Sequence, residues 1–444
     1  MRTDPAFAEK IIEMALRKGA QSAEVFQRAS SMLSAEVKSQ QVSAVESAVS
    51  MGFGIRVIAD GSPGFYYSTQ MGSEEQAVDA ALETARFAEP DEHLCFPSPQ
   101  KPVEIDVYDE KVATVSEEVA IDMAMSIERA TFAEDQRVKR TRKSMASFSS
   151  GDTLVANSQG VSFSFPSTSA TAHIMTVAEE GGKSQMGWGF GIGRFMDDVD
   201  FEAVGKESAK RACMMLGARK ISSTRAAVVL DNHIAADFLS IFSSMLSSEN
   251  VQKGKSLLAG KVGQQVISAT LDIMDDGLLP HGPGSKPIDD EGVPSSTKSL
   301  VKKGVLGGFM YNSRTAKKEG RPSTGNAVRG RFSSVPSVGP LNMYISASEG
   351  TVSAKEIIAS VRKGLYITDA MGMHTANPIS GQFSIGVSGM WIENGELAYP
   401  VNEAVLSGNM LDLFGRVITV GDDLRFYGSI GSPSLLVGET DISA

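Results

Sequence analysis

Histidine and cysteine, the side chains that most often bind zinc in proteins, are scarce in this chain of 444 residues. The sequence holds five histidines and two cysteines. Zinc hydrolysis needs two or three His, Glu, Asp or Cys ligands close together, and a carboxylate that acts as a base. No two histidines lie within one helical turn of each other, and none is followed by glutamate. A His-Glu-x-x-His motif is therefore excluded, and only a convergence of distant histidines stays open.

Three short motifs that could carry other chemistry are incomplete. Gly254-Lys255-Ser256 matches the end of a phosphate-binding loop, but the glycine that such a loop needs five residues earlier is Glu249. Ser295 and Ser360 each precede a lysine by three residues, a spacing that can activate a serine only on a helix with a desolvated lysine. The other members of that enzyme motif set are absent, so we interpret both matches as a loop or an exposed helix.

The densest acidic cluster is Asp289-Asp290-Glu291, within a Pro/Gly-rich loop at 279–296. Calcium binding would require further oxygen ligands at alternating positions, and these are missing. The sequence therefore predicts a solvated loop, or an acidic lip that contacts a partner.

Composition narrows the class of protein further. The net charge of −11 argues against direct nucleic-acid binding, which relies on basic residues that displace counterions. No run of about 18 apolar residues could span a membrane. The first apolar stretch is broken by Glu9, Lys10 and Glu13, so no secretory signal is predicted. Cys95 and Cys213 are too few for a disulfide framework. Together these features predict a cytoplasmic protein.

The elements that would position any site alternate between helical and strand patterns. Asp4 and Pro5 begin a helix that ends at Gly19, and Ser73 with Gln76 indicates a capping box for a second. Strands are predicted at 23–28, 32–39 and 52–59, and Asn394-Gly395 indicates a hairpin. Further helices are predicted at 116–133, 201–216 and 234–246.

Glycines at 187, 189, 191 and 193 leave one strand face bare, so another backbone should pack against it. We predict an α+β fold with a mixed N-terminal region at 1–218 and a hairpin-rich, mostly antiparallel C-terminal domain at 225–444. A proline-rich linker near 97–115 should subdivide the first region.

Taken in order, several segments resemble the TldD/PmbA family, also called the modulator of DNA gyrase family. The resemblance covers nearly the whole chain and depends on the order and spacing of the segments. They are Ala23-Glu24-Val25, Val45-Glu46-Ser47, 52–58, 157–160, Asp290-Glu291-Gly292, 304–306, Ser323-Thr324-Gly325-Asn326, Asn377-Pro378, 381–383 and 392–395. The resemblance gives no role to Asp290, Glu291, Gly292, Thr324, Gly325 or Asn326.

The family has two branches, which the zinc ligands distinguish. The TldD branch resembles a zinc protease, with His-Glu-x-x-x-His on a helix and a later cysteine. The matching helix positions here are Ser240, Ile241, Phe242, Ser243, Ser244 and Met245, and the cysteine position is Met371. The chain therefore resembles the PmbA (TldE) branch, which lacks the zinc motif, and no catalytic residue or cofactor of its own is implied.

The resemblance implies a subunit that pairs with a TldD-type zinc protease, with zinc only in that partner and a peptide or unfolded protein as substrate. No direct contact with nucleic acid or membrane is implied. An alternative is a stand-alone binding or regulatory protein of the gyrase-modulator type, a homodimer with no role in proteolysis. A third hypothesis is an enzyme that uses a Ser/Lys site.

Overall fold

The computed structural model describes residues 2–443, which form ten α-helices and twenty strands. The helices are α1 Pro5–Arg17, α2 Glu74–Arg86, α3 Glu110–Ala113, α4 Glu117–Glu134, α5 Phe201–Met214, α6 Asn232–Ser243, α7 Ser248–Gln252, α8 Ser313–Lys318, α9 Ala354–Ser360 and α10 Met410–Gly415.

The N-terminal strands are β1 Ser22–Lys38, β2 Gln41–Ala59, β3 Ser62–Ser68, β4 Val138–Asn157, β5 Ser162–Glu180 and β6 Lys183–Gly193. Those of the C-terminal half are β7 Thr224–Leu230, β8 Leu271–Asp276, β9 Thr297–Lys302, β10 Val305–Leu306, β11 Ala327–Val328, β12 Ser337–Val338, β13 Met343–Ala347, β14 Lys363–Met371, β15 Gln382–Glu393, β16 Glu396–Asn409, β17 Val417–Val420, β18 Arg425–Phe426, β19 Ile430–Ser432 and β20 Leu435–Ser443.

One antiparallel sheet of six strands, in the order β3-β2-β1-β4-β5-β6, forms the N-terminal half. The two strands predicted at 23–28 and 32–39 are one continuous strand, because residues 29–31 pair on both sides with β2 and β4. Strands β1 and β4 lie on opposite sides of the proline-rich segment in sequence, yet they are hydrogen-bonded neighbours.

Helices cover one face of this sheet. Helix α1 begins as predicted, with the Asp4 carboxylate accepting a hydrogen bond from the amide of Ala6. The bare glycine face of β6 packs against α5: a Cβ added at Gly189 would lie 2.1 Å from the carbonyl oxygen of Val204, and one at Gly187 would lie 2.2 Å from that of Ser208. The prediction of a close backbone approach at these glycines is therefore confirmed.

The C-terminal half contains two further six-stranded sheets and a two-stranded one. The strands run β16-β15-β14-β7-β20, and β16 also pairs with β20, so this sheet closes on itself. Helix α6 packs its apolar side into the main core of this half. The Asn394-Gly395 hairpin is confirmed, with both residues at positive φ between β15 and β16.

The α+β class is confirmed. The capping box predicted at Ser73 is wrong, because the hydroxyl of Ser73 contacts that of Ser68 and donates to the carbonyl of Gln70 instead of capping α2. Between residues 2 and 443, no helix combines the length and the apolar character needed to cross a membrane.

Candidate functional site

The six positions that match the zinc motif lie at the end of α6 and in the 3₁₀ turn Ser244–Leu246 that continues it. Phe242 and Met245 are fully buried, and the ring of Phe242 packs edge-on against that of Phe414 at 5.4 Å. The hydroxyls of Ser243 and Ser244 donate to carbonyl groups of the preceding helical turn, at 2.7 and 2.8 Å. The two large side chains therefore fill the core, and the two hydroxyls form hydrogen bonds within their own helix.

Zinc does not fit this set of side chains. Zinc requires imidazole, carboxylate or thiolate ligands, and the positions offer hydroxyls, an aromatic ring and aliphatic groups. The cysteine position, Met371, ends β14 with its side chain 68% exposed. Among the described residues, no group of three His, Cys, Asp or Glu side chains is arranged to hold a metal ion.

The acidic cluster is buried, so the prediction of a solvated loop or exposed lip is wrong. Asp289 and Glu291 are almost completely inaccessible, and Asp290 is 8% exposed. The carboxylate of Asp289 accepts hydrogen bonds from the amides of Glu291, Val293 and Ala327, at 2.9, 2.9 and 3.0 Å. Burial, together with the nearby charge of Glu291, raises the pKa of Asp289 to about 7 against the effect of these amides.

Glu291 and Asp290 each meet cationic and amide donors. Glu291 accepts from the guanidinium of Arg56 at 3.0 Å and from the amide of Ser313 at 2.9 Å. Asp290 pairs with Lys286 at 2.8 Å and accepts from the amide of Arg329 at 2.6 Å. Protein donors thus replace the water that a surface loop would have offered, and this compensation permits burial.

Glu24 of β1 lies at the centre of a buried ion network that joins the two halves of the chain. Its carboxylate accepts two hydrogen bonds from Arg56, at 2.8 and 2.5 Å, and one from Arg329. Glu24 and Arg329 are both inaccessible to solvent. Burial by itself would raise the pKa of Glu24, but Arg329 and Arg56 hold it below its usual value. Three cations (Arg56, Arg329, Lys286) thus meet the three carboxylates of Glu24, Asp290 and Glu291.

The second family motif, Thr324-Gly325-Asn326, lies against the acidic loop. The amide of Asp290 donates to the carbonyl of Ala327 at 3.0 Å, so the two segments are hydrogen-bonded beside Asn326. Gly325 has a φ of +70°, and an added Cβ would lie 2.7 Å from the carbonyl oxygen of Pro294. The amide group of Asn326 donates to Asp275 at 2.7 Å. The arrangement fixes loop geometry and exposes no nucleophile.

The two Ser-x-x-Lys matches do not form a nucleophile and base. The amino group of Lys298 contacts the carboxylate of Asp275 at 3.1 Å and the carbonyl of Thr324 at 3.2 Å, and it makes no hydrogen bond to Ser295. The hydroxyl of Ser295 is buried without a hydrogen-bond partner among the described residues. Ser360 donates to the carbonyl of Ile357 at 2.7 Å, within its own helix.

A cleft of about 770 Å³ opens beside the ion network, lined by both halves of the chain. Both arginines that line it are paired: Arg56 with Glu24 and Glu291, and Arg314 with Asp91 at 2.5 Å. The half-buried thiol of Cys95 lines the same cleft, and burial raises its pKa, which disfavours the thiolate. Sequence reasoning missed this cleft. The one local signal was Glu24, a carboxylate among the apolar residues Ala23, Val25 and Phe26.

A second polar contact joins α5 to the start of α6. Asp231, which caps α6, accepts from Arg211 at 3.1 Å and from the hydroxyl of Tyr366 at 2.6 Å. Burial would raise the pKa of Asp231, but contacts with His233, Arg211 and Tyr366 lower it well below its usual range. The helix that carries the zinc-motif positions is therefore anchored at its N-cap, Asp231.

Comparisons with known proteins agree with this architecture. Three PmbA/TldA metallopeptidase family models match: domain 1 at residues 23–88, the central domain at 110–216 and the C-terminal domain at 223–444. Metalloprotease PmbA of Escherichia coli O157:H7 is 30% identical over 401 residues, which cover 88% of this chain and 85% of that protein. The Metalloprotease TldD homolog of Haemophilus influenzae is 28% identical over 399 residues, covering 86% and 82%.

Solved structures show the same fold. A protein from Thermotoga maritima described as a candidate modulator of a DNA gyrase superimposes with a TM-score of 0.91 at 28% identity, covering 99% of this chain and 100% of that one. TldE from Thermococcus kodakarensis superimposes with a TM-score of 0.89 at 21% identity, over 99% and 100%. The chain belongs to the PmbA/TldD metallopeptidase family.

Proposed function

We propose that this chain is the non-catalytic, PmbA/TldE-type subunit of a two-subunit zinc protease, working in the cytoplasm on peptides or unfolded proteins. A TldD-type subunit would supply the zinc and the hydrolysis. The observation that carries the proposal is the chemistry of Ser240–Met245 and Met371, where the zinc-binding branch has its ligands.

The packing of α6 supports this role. Phe242 and Met245 belong to the main C-terminal core, and Asp231 is held by Arg211 and Tyr366. A helix anchored in this way keeps its shape without a metal ion. The subunit would therefore contribute a stable surface that closes the partner's chamber and shapes the path of the peptide, while the partner cuts.

The ion network around Glu24 supports the same role. It fixes the N-terminal sheet against the acidic loop of the C-terminal half through contacts of Arg56 and Arg329. Two halves held in one geometry present one continuous surface. A rigid surface binds a partner with a smaller loss of conformational entropy than a mobile surface does.

The test combines metal analysis, assembly and cleavage. The purified chain is assayed for zinc and for peptide cleavage, alone and mixed with a TldD-type chain from the same genome. We expect no stoichiometric zinc in this chain, a complex by size exclusion, and cleavage only in the mixture. Stoichiometric zinc together with cleavage by the isolated chain would refute the proposal.

Two controls separate this function from the others. A TldD-type chain whose motif glutamate is changed to glutamine should assemble but not cut, which assigns hydrolysis to the partner. Ser295→Ala in this chain should leave cleavage by the mixture unchanged, whereas loss of cleavage would support a serine enzyme. If no complex forms, a stand-alone regulator becomes the better function, because the related Thermotoga maritima structure is described as a candidate modulator of a DNA gyrase.

A further inference from the structure

The N-terminal sheet has one face that its helices do not cover. Even-numbered residues of β4 and β5, such as Ala146 and Ala172, pack with α4 in the core, so odd-numbered residues of these strands point the other way. On β1 the even-numbered residues share that open face, because Ser30 pairs with Gly151. Six hydroxyl residues lie there and define what we call the hydroxyl face: Ser30, Ser147, Ser149, Ser167, Ser169 and Thr171.

The side chains of the hydroxyl face have no protein partner. Each of the six residues is half-buried, and none of their hydroxyls forms a hydrogen bond within residues 2–443. On the helix-covered face the hydroxyls are engaged instead: Ser144 donates to the carbonyl of Ala124 at 2.8 Å, and the hydroxyls of Thr176 and Ser208 lie 2.5 Å apart. A hydroxyl both donates and accepts, so the hydroxyl face offers a ligand both kinds of hydrogen bond.

The same face carries no charge over three strands. Between the row that joins Ser30 to Ser167 and the row that joins Ser34 to Thr171, each of β1, β4 and β5 presents three residues outward, and none of them is charged. A surface that meets only water usually carries charged side chains. The stretch from Ser30 to Ser34 extends about 13 Å, the length of about four residues of an extended peptide. The hydroxyl face is therefore a neutral, polar platform of the size of a short peptide.

Two cations border the hydroxyl face and lack carboxylate partners. Arg28 follows Ser30 on the same face of β1, is exposed, and forms no ion pair with any described residue. Arg194, directly after β6, donates to the carbonyl groups of Thr168 and Ser285 at 3.1 and 3.0 Å, and its Nε has no partner among the described residues. Burial and the nearby charge of Arg28 lower the pKa of Arg194 to about 10, so both arginines are positive at neutral pH.

We propose that the hydroxyl face binds the carboxyl-terminal end of an extended peptide, with the terminal carboxylate beside Arg28 and Arg194. Guanidinium groups bind carboxylates through short, charge-assisted hydrogen bonds. An extended backbone presents N–H and C=O groups, which hydroxyls match whatever the side chains of the peptide are. The inference rests on the proposed function for its ligand class, a peptide, and it adds where the end of that peptide is held and by which groups.

Peptide binding to this chain alone tests the proposal. An unstructured peptide of eight residues, with a fluorescent label on its amino end, is titrated with the chain while its anisotropy is followed. The same peptide with an amidated carboxyl end is the matched ligand. We expect the carboxylate form to bind about tenfold more tightly than the amide form. Arg28→Gln should bring the two affinities together, and Arg28→Lys should restore part of the difference. Arg129→Gln, at an arginine that is 54% exposed on α4, is the matched control and should leave the difference unchanged.

A charge placed within the hydroxyl face tests the platform itself. Ser149→Asp puts a carboxylate in the middle row, between Met32 and Ser169, and should weaken binding of the carboxylate form at least about tenfold through repulsion. Ser47→Asp is the control, because Ser47 is exposed on β2 and pairs with Leu33, which points to the opposite face. A preserved melting temperature shows that each variant folds.

Equal affinity of the parent chain for the two peptide forms, binding of neither form, or no effect of Arg28→Gln would overturn the inference. A Ser149→Asp variant that changes the sedimentation of the chain instead of its peptide binding would assign the face to a second copy and overturn it as well. The assay contains no partner subunit, so its failure beside an intact, cleaving complex would remove this inference alone. Failure to assemble with a TldD-type chain would count against the proposed function and leave the measured peptide affinities standing.

Discussion

Glu24→Gln should destabilise the chain strongly, because Glu24 is the carboxylate on which two buried arginines depend. The substitution keeps the shape of the side chain but removes its charge and one of its acceptor oxygens. Arg56 would retain Glu291 at 3.0 Å. Apart from the one oxygen that glutamine keeps at position 24, Arg329 would retain only a hydrogen bond from its Nε to the carbonyl of Asp290 at 3.2 Å, because its Nη1 already has no partner among the described residues.

The expected cost follows from the charge left behind. Removing one member of a buried ion pair costs about 3–5 kcal/mol, since the remaining charge is buried without compensation. Arg56 keeps a second carboxylate, so we place the cost at the lower end, about 3 kcal/mol. A typical free energy of unfolding is about 5–15 kcal/mol, so this is a large fraction of it.

Urea unfolding followed by tryptophan fluorescence measures this cost in both halves. Trp188 lies in β6 and Trp391 lies in β15, so each half carries one of the two tryptophans. Glu75→Gln is the control, because Glu75 pairs with Lys18 at 2.9 Å on the surface and should cause little measurable change. The double variant Glu24→Gln with Arg329→Gln should recover part of the loss. A cost of Glu24→Gln below about 1 kcal/mol would refute this account of the network. A cost of the double variant equal to the sum of the costs of its two single variants would also refute it.

Three further predictions concern other buried contacts. Asp289→Asn should cost about 1–3 kcal/mol in urea unfolding, because its amide group would face a backbone donor. Since the folded pKa of Asp289 is raised to about 7, its contribution to stability is present at low pH and lost as pH rises to about 7, and the variant should lack this dependence. For Asp231 the folded pKa is lowered, so its contribution is present above about pH 4 and lost as pH falls, and Arg211→Leu should shrink that acid-side loss in a series of melting temperatures. Gly189→Ala should cost about 1–3 kcal/mol through collision with the carbonyl of Val204, while Gly308→Ala, which has open space, should not.

Local patterns in the sequence predicted those features whose cause is local. The period-two glycines of β6 required a close neighbour, and α5 provides it. Asn394-Gly395 required a tight turn, because both residues readily adopt positive φ. The start of α1 followed in the same way from Asp4 and Pro5. In each case the residues that determine the structure are neighbours in the chain.

Features that depend on distant residues could not be predicted in this way. Acidity alone suggested that Asp289, Asp290 and Glu291 face solvent. Beside the local donors, however, they accept hydrogen bonds from Arg56, Arg329 and the amides of residues 313 and 327, which are distant in sequence. Glu24 lies 305 positions from Arg329. A glutamate among the apolar residues Ala23, Val25 and Phe26 indicates that a partner must exist, and only the fold identifies that partner.

The end of α6 shows why the zinc positions can lose their ligands while the fold persists. In a zinc enzyme, the metal holds ligands from separate segments together and contributes to folding. In this chain apolar contacts hold the segments together instead of a metal. Phe242 packs on Phe414, Phe238 packs on Phe383 at 5.0 Å, and Met245 is fully buried. Restoring histidine at Met245 would place a polar ring in that core without a partner, which costs stability before any zinc is bound. The packing of α6 therefore holds the helix in place without a metal ligand, as the proposed non-catalytic role requires.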